Sequence, residues 1–364
     1  MMQGIALLHR WTGGIAGLLL AIMGLSGALL VWKDSWVNVA GAETPLRSST
    51  ADLGRAVDLA ASGGDLSYIT FADDNFGLHQ AIYRDESGAY VDQNGHVVEQ
   101  WASQWERPEL WLFDLHHYLF AGDTGELVVG GLGLLLLGFS ITGAVLWWRT
   151  RKTFRLRLLP PRMTRPAIVR QHRDIGMVAL PVLLLIGATG ALMAFKPLAA
   201  VALSPLGSLP PRPEAPPVTA VPPARPDWTR ALANAQSAFP DAAIRRLQMP
   251  RDPAKAATIR LRQPFEWTPN GRTYVYLDLA TGNVVGTVNP AVQNRAQAVQ
   301  DTFYPLHAGK VGGIVWKLAL TAGGLILVLL GTLAVWSFWF ADRRKGPVRA
   351  IGTEVPKASW AQQP

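Results

Sequence analysis

The chain has 364 residues, of which 49% are apolar and only 16% are charged. Charged residues make up about a quarter of an ordinary soluble domain, so this composition argues against one. The net charge of +8 follows a membrane pattern, described below, and does not indicate a nucleic-acid-binding surface. The absence of cysteine excludes disulfides, thiolate-ligated iron–sulfur clusters and covalently attached c-type haem.

Four apolar segments are long enough to span a bilayer, which takes about 20 residues. No aspartate or glutamate interrupts them. The first is too long for a cleaved secretory signal, although VAGAE at 39–43 resembles a cleavage site. The sequence therefore predicts a polytopic membrane protein whose spanning helices cover residues 15–32, 127–148, 175–195 and 314–340.

Basic residues are concentrated between the second and third apolar segments. Residues 149–174 contain nine lysines and arginines and one acid, and RRKGPVR follows the fourth segment. Residues 33–126 instead contain five bases and sixteen acids. Because short cytoplasmic loops are enriched in Lys and Arg, we expect this basic loop and both termini to be cytoplasmic. The long loops 33–125 and 197–309 are then expected on the outer, periplasmic side.

The chain contains an internal repeat. LHRWTGGIAGLLLAIMGLSGALLVWK at 8–33 aligns with QHRDIGMVALPVLLLIGATGALMAFK at 171–196, and polar and glycine positions coincide as well as apolar ones. Each copy is followed by an outer segment and by a second apolar helix, entered through DLHHYLF or PLHAGKV. Both copies cross the membrane in the same sense. We therefore expect a membrane all-α four-helix bundle with a pseudo-twofold axis along the membrane normal.

Each outer segment is predicted to be a small α+β domain. ADLGRAVDLAAS and DWTRALANAQSAF predict helices, the second capped by Asp227, while YVDQNGHVV and YLDLATGNVV each predict strand, turn and strand. Nine prolines between Ser204 and Pro226 predict an extended tether. The predicted organisation is helix 1 at 1–33, an outer module at 34–110, helix 2 at 111–150, a basic loop at 151–171, helix 3 at 172–197, a Pro-rich linker at 198–226, an outer module at 227–304, helix 4 at 305–342 and a tail at 343–364.

Four of the seven histidines occupy repeat-related positions at the mouths of the apolar segments. His9 and His172 are predicted on the cytoplasmic side, and His116 and His307 on the outer side. A twofold axis brings equivalent positions opposite one another, so the sequence predicts two His–His pairs, one near each face. Inward-facing ligands on four helices are a natural frame for a cofactor.

Two opposed imidazoles indicate haem b. Haem iron takes axial histidines, and two of them saturate it for electron transfer. Zinc needs a third or fourth protein ligand, and copper sites commonly add Cys or Met. The alternative is that the histidines only anchor helix ends at the interface. The many glycines of the helices allow close approach of either a neighbouring helix or a flat macrocycle.

Three further polar residues lie beside these histidines. Arg10 and Arg173 are candidates for binding haem propionates, and equally for contacting lipid phosphate as cytoplasmic anchors. His117 follows His116, but the dipeptide Leu-His recurs in both copies, which favours His116 as the ligand and leaves His117 as a spare or substrate-side residue. The first outer module also contains two histidines that are expected at its surface, His79 and His96.

These motifs resemble the PepSY-associated transmembrane family, which includes PiuB-type iron-regulated membrane proteins and FoxB-like siderophore reductases. LHRW, LHHYLF, HRDIG and LHAGKVGG carry the resemblance, which covers nearly the whole chain and is weakest in the outer modules. It implies a bacterial inner-membrane protein with two periplasmic PepSY-like domains. It also implies b-type haem bound by His9, His116, His172 and His307, and, in the FoxB branch, reduction of a ferric siderophore with release of Fe(II).

The leading hypothesis is a di-haem oxidoreductase that carries electrons across the membrane to a periplasmic ferric siderophore or another acceptor. No Gly-rich fingerprint for NAD or flavin is present, so we expect quinol or a separate reductase as the donor. The alternative is a non-enzymatic, membrane-anchored module whose PepSY-like domains bind a peptidase or another periplasmic partner. A transporter is disfavoured because the predicted helices contain no buried acid.

Overall fold

The computed structural model describes residues 2–211, 213–219 and 225–341, so the predicted basic tail lies outside the described residues. The first half forms α1 (Met2–Leu30), α2 (Lys33–Trp36), α3 (Thr50–Ser62), β1 (Leu66–Thr70), β2 (His79–Tyr83), β3 (Gly88–Val91), β4 (Val97–Trp101), α4 (Pro108–Tyr118) and α5 (Gly122–Trp148). The second half forms α6 (Arg165–Ala194), α7 (Lys196–Leu203), α8 (Trp228–Ala238), β5 (Ala243–Gln248), β6 (Ala257–Arg262), β7 (Thr273–Asp278), β8 (Asn283–Val288), α9 (Arg295–His307) and α10 (Gly313–Trp339).

The helices α1, α5, α6 and α10 are long and apolar enough to cross a membrane, which confirms the prediction of four spanning helices. Each has 27 to 30 residues, or about 40 Å at the rise of an α-helix, more than the roughly 30 Å of a bilayer core. Both α1 and α6 begin about three turns before their apolar segments. His9 and His172 therefore lie inside these helices, two turns from their first residues, rather than at their mouths.

Small residues bring the spanning helices into direct backbone contact. The pairs that pack most extensively are α1 with α10 and α5 with α6. A Cβ added to Gly24 of α1 would lie 2.6 Å from the carbonyl oxygen of Gly324 in α10. A Cβ added to Gly133 of α5 would lie 3.2 Å from the carbonyl oxygen of Gly187 in α6. Close backbone approach of this kind is how helices associate in lipid, where burial of apolar surface adds little.

The strands form one continuous antiparallel sheet in the order β4-β3-β2-β1-β5-β6-β7-β8. The predicted helices and strands of both outer modules are present, and Asp227 caps α8 by accepting from the Arg230 N–H at 3.0 Å. The sequence did not predict that the two strand sets would join, which they do through β1 and β5, with Ile69 opposite Leu247. Helices α3 and α8 cover one face and share a single apolar core with it.

The Pro-rich segment differs from the predicted free tether. Its first residues form α7, which packs under α9 through Leu203 and Phe303. Farther on, the Val218 N–H donates to the Ala254 carbonyl and the Ala256 N–H to the Pro216 carbonyl. This pairing is a single isolated bridge, Pro217 opposite Lys255, because proline lacks the N–H needed to extend it.

Candidate functional site

Two pairs of histidines lie between the helices, one toward each end of the bundle. The rings of His9 in α1 and His172 in α6 have centroids 6.1 Å apart, at the end that carries the basic loop. The rings of His116 in α4 and His307 in α9 have centroids 6.2 Å apart, at the end below the sheet. The structure thus brings together both of the pairs that the repeat predicted.

We call His116 and His307 the upper pair, and His9 and His172 the lower pair. The upper pair lies on short helices, not on the spanning helices that the sequence assigned to residues 111–150 and 305–342. α4 ends at Leu119 and Phe120, which adopt positive φ angles of 46° and 60°, before α5 begins. α9 ends at His307, and Gly309 and Gly312 turn the chain with φ angles of 66° and 77° before α10. These breaks let His116 and His307 lie across the top of the bundle and face each other.

Hydroxyl groups determine which nitrogen of the histidine rings is free. The Nδ1 atom lies 2.8 Å from Thr142 Oγ1 in His9, 2.8 Å from Ser26 Oγ in His116, and 3.0 Å from Thr189 Oγ1 in His307. Each hydroxyl already donates its one hydrogen to a carbonyl one turn earlier in its own helix. The hydroxyl must therefore accept from the ring, so Nδ1 carries the proton and Nε2 keeps its lone pair.

His172 has a different partner from the other three. Its ring interacts with the backbone carbonyl of Leu330 in α10, while the ring of His9 packs edge-on against Phe139 in α5 at 5.1 Å between centroids. A neutral imidazole whose second nitrogen is held by an oxygen is the usual state of a metal-binding histidine. The protein thus holds the rings of His9, His116 and His307 ready to bind through Nε2.

Glycines leave room around the upper pair. A Cβ added to Gly27 would lie 2.9 Å from Cε1 of His116, and a Cβ added to Gly190 would lie 3.2 Å from Cε1 of His307. Both distances are closer than an ordinary contact, so any larger residue would displace the rings. A Cβ added to Gly143 would lie 3.7 Å from Cε1 of His9, which is an ordinary contact distance.

The spacing of the rings matches a metal held between two imidazoles. A metal–nitrogen bond is about 2 Å and the nitrogen lies about 1 Å from the ring centre, so two such rings have centres about 6 Å apart. Among the described residues, no group of three or more His, Asp or Glu side chains is placed to hold a metal ion. The pairs therefore fit a centre that brings its other ligands with it, as haem does.

The two candidate arginines have protein partners. Arg173 donates to the carboxylate of Asp174 and to Thr153, and Arg10 lies 5.8 Å from the ring of Phe338. Asp174 is fully buried and is also held by Arg157. The expectation that the helices contain no buried acid is therefore wrong, because Asp174 lies inside α6 and is buried. Its two arginine partners compensate its charge, so it is not an ion-binding acid.

The other histidines divide between surface and core. His117 stacks on Phe113 with ring centroids 4.1 Å apart and lies next to the upper pair. His96 is exposed, as expected. His79 is buried, contrary to expectation, and its Nδ1 accepts from the Ala72 N–H at 3.1 Å. Burial lowers the pKa of His79 to about 4, so it is neutral at pH 7.

The match to known families covers almost the whole chain. Residues 6–341 match the model of the PepSY-associated TM region. The chain belongs to the PepSY-associated transmembrane family. The present chain is 28% identical, over 259 residues, to the uncharacterized protein PA4219 of Pseudomonas aeruginosa. That match spans 65% of the present chain and 64% of the relative, a little under two thirds of each. Family membership supports a multi-pass membrane protein, consistent with the four apolar helices.

Proposed function

We propose that this protein is a di-haem b electron carrier that reduces a periplasmic acceptor. The observation that carries the proposal is the geometry of the two histidine pairs, each with ring centroids about 6 Å apart and with Nε2 left free in the three rings whose Nδ1 bonds a hydroxyl. Bis-histidine haem exchanges single electrons without binding a substrate at the iron.

We propose that the protein lies in a bacterial inner membrane, with the basic loop cytoplasmic and the sheet periplasmic. The arginines between α5 and α6 support this orientation, since short cytoplasmic loops are rich in Lys and Arg. Trp147 and Trp148 lie at the same end of the bundle, where interfacial aromatic residues are enriched. The His116–His307 pair then lies next to the periplasmic domain.

We also propose that the chain arose by duplication, with two PepSY-like units and a pseudo-twofold axis. The supporting contacts occur in matched pairs. Ser26 bonds His116 as Thr189 bonds His307, and the positions 26 and 189 differ by the offset of the sequence repeat. The helices α5 and α10 have the same length and begin at equivalent positions after His116 and His307. The antiparallel pairing of β1 with β5, in which Ile69 lies opposite Leu247, is the arrangement that a local twofold between the two halves of the sheet would produce.

In this proposal the side chains of the protein hold the haems, orient the histidine rings and exclude water from the bundle. Thr142, Ser26 and Thr189 keep the proton on Nδ1, which directs Nε2 toward the iron and raises the basicity of the ring. Buried leucines such as Leu20, Leu136, Leu183 and Leu327 fill the bundle between the two pairs and exclude water. The bound haems would supply one-electron transfer, which converts Fe(III) in the acceptor to Fe(II).

The acceptor in this proposal is a ferric siderophore or a similar ferric chelate, and the donor is quinol or a separate reductase. A quinol releases two electrons and two protons, which is enough to reduce two ferric ions one after the other. The supports are the family resemblance and the position of the upper pair beneath a large domain, where a chelate too polar to cross the bilayer can be reached.

The test is the reduced-minus-oxidised absorbance spectrum of the full-length protein purified with haem supplied during expression. We expect b-type bands and about two haems per chain. His9→Ala should remove the centre at the basic-loop end and His307→Ala the other centre, while His96→Ala, at an exposed position, should change neither. Protein that contains no extractable haem would refute electron transfer and favour a binding module. Loss of both centres from one substitution would refute the pairing.

A further inference from the structure

The bundle-facing side of the sheet carries two arginines directly opposite each other. Arg246 of β5 and Arg260 of β6 are cross-strand partners, flanked by Thr70 of β1 and Tyr274 of β7 in the same row. Opposed residues of an antiparallel pair project from the same face of the sheet, and like charges at such positions destabilise it. The neighbouring pair, Leu247 and Ile259, points to the opposite, apolar face.

This row lies above the His116–His307 pair. Arg246 interacts electrostatically with Tyr304 of α9, one turn before His307, and with Lys33 of α2, which follows α1. The side-chain ammonium of Lys33 makes no hydrogen bond or ion pair within the described part of the chain, and the Lys33 carbonyl accepts from the Val37 N–H. Three basic side chains therefore converge between the sheet and the upper histidine pair.

Among the described residues, neither arginine forms a salt bridge with an acid, and Arg260 interacts with Glu266 only electrostatically at longer range. Arg246 donates to Thr70 Oγ1 at 3.0 Å and lies 4.5 Å from the ring of Tyr68. Arg260 donates to the Gly271 carbonyl, and its Nε is buried without a hydrogen-bond partner among the described residues. Burial lowers the pKa of Arg260 to about 10, so it remains charged at pH 7.

The nearby carboxylates are already occupied. Asp34 pairs with Lys310 at 2.7 Å, Glu109 with Arg107 at 2.8 Å, and Asp301 with Arg272 at 3.5 Å. The carboxylate of Glu266 accepts from Gln263, Arg272 and Thr273. Partly buried cations that lack an ion pair are costly unless an anion joins them, so this surface is suited to a ligand that carries oxyanions.

We propose that Arg246 and Arg260, with Lys33, bind the electron acceptor as an anionic iron(III) chelate whose carboxylate or catecholate oxygens face the arginines. This proposal rests on the proposed function, because it names the substrate class for the upper centre. Arginine suits the role because its planar fork binds two oxygens at once. The rings of Tyr68 and Tyr274 stack against the guanidinium groups and hold them in place. Propionates of a bound haem present the same carboxylate chemistry, so the test must separate the two sources.

The probe is a redox-inert gallium(III)–EDTA complex, which is singly negative, compared with a neutral gallium(III) trihydroxamate. Binding to the full-length protein in nanodiscs is measured by calorimetry at low ionic strength. We expect the anionic complex to bind about tenfold more weakly to Arg246→Gln or to Arg260→Gln, roughly the loss of one charge-assisted hydrogen bond. The neutral complex should not discriminate between the variants. The exposed Arg251 provides the matched control, Arg251→Gln.

Haem content and thermal unfolding are measured on the same samples. Arg246→Lys keeps the charge and should recover part of the binding, which separates a folding defect from loss of the site. Haem loss with unchanged chelate binding would assign the arginines to the propionates and overturn the proposal. Equal binding of the anionic complex by Arg246→Gln, Arg260→Gln and Arg251→Gln would overturn it as well. A haem-free protein that still discriminates would refute electron transfer and leave the anion site standing.

Discussion

The hydroxyl contacts of the upper pair predict that Ser26→Ala and Thr189→Val weaken haem binding there. Ser26 accepts from His116 at 2.8 Å and Thr189 from His307 at 3.0 Å. Removing either oxygen leaves the ring with only the backbone carbonyl of Met23 or Ile186 as a partner, and a hydrogen bond lost in a low-dielectric interior costs at most about 1–3 kcal/mol. The freed ring can also take the other tautomer and place a proton on Nε2. Substitution of such supporting groups typically reduces metal affinity about 10- to 100-fold.

The matched control is Thr332→Val in α10. Thr332 also donates its hydroxyl hydrogen to a carbonyl one turn earlier, at 2.7 Å, but lies on an exposed helix surface and contacts no histidine. All three substitutions thus remove the same kind of hydroxyl–backbone bond from a spanning helix. Only Ser26→Ala and Thr189→Val also remove a ring partner.

The assay is the rate at which a haem-scavenging apoprotein extracts haem from the purified protein, followed by absorbance. Fast extraction should involve about half of the haem in Ser26→Ala and in Thr189→Val, because the lower pair has its own partners. Extraction from Thr332→Val should match the unmodified protein. If all three variants lose haem at the unmodified rate, the hydroxyls do not orient the ligands and the assignment of Nε2 fails.

Three further predictions concern the space beside His116, the buried Asp174 and the pH dependence of stability. Gly27→Ala should shift His116 by about half an ångström and change the absorbance spectrum of the upper centre. The control is Gly131→Ala, where the added methyl meets open space. It should leave the spectrum unchanged and stabilise α5 by up to about 1 kcal/mol. Asp174→Asn leaves two arginines uncompensated and should destabilise the protein by about 3 kcal/mol, measured as a lower thermal unfolding temperature. Because the folded pKa of His79 lies near 4, below its unfolded value, stability should be intact above about pH 6.5 and fall by roughly 3 kcal/mol toward pH 4. His79→Gln should flatten that fall in unfolding scans between pH 7 and 4.5, and an unchanged slope would refute it.

The spanning helices were predictable because bilayer thickness sets their length and a lipid environment sets their composition. The start of α6 was not, since helix 3 was predicted from residue 172 and α6 begins at Arg165, in a polar stretch that gives no membrane signal. The sequence also indicated both outer modules through their helices and turns. The joining of β1 to β5 was not visible, because pairing between distant edge strands depends on where the bundle places them.

The candidate ligands were predictable from the repeat alone, which placed His9 opposite His172 and His116 opposite His307. Their supporting hydroxyls were not singled out, because a Ser or Thr inside an apolar helix ordinarily bonds its own backbone. Ser26 and Thr189 do so, and they also face a histidine that is distant in sequence. The repeat did contain a signal that could have found them, since both are small hydroxyl residues at equivalent positions, each followed by glycine.

In the proposed function, one helix supports both centres in each half of the chain. α1 carries His9 for the lower pair and, seventeen positions later, Ser26 for the upper pair, and α6 carries His172 and Thr189 at the same separation. Seventeen residues of helix rise about 26 Å, so α1 and α6 set the axial distance from each histidine of the lower pair to the hydroxyl that supports the upper pair. Deleting one residue between the two positions would rotate Ser26 by about 100° around α1, away from His116, and the lower pair would be unaffected. Helix geometry thus sets the spacing of the groups that support the two proposed centres, while His116 and His307 themselves lie on α4 and α9.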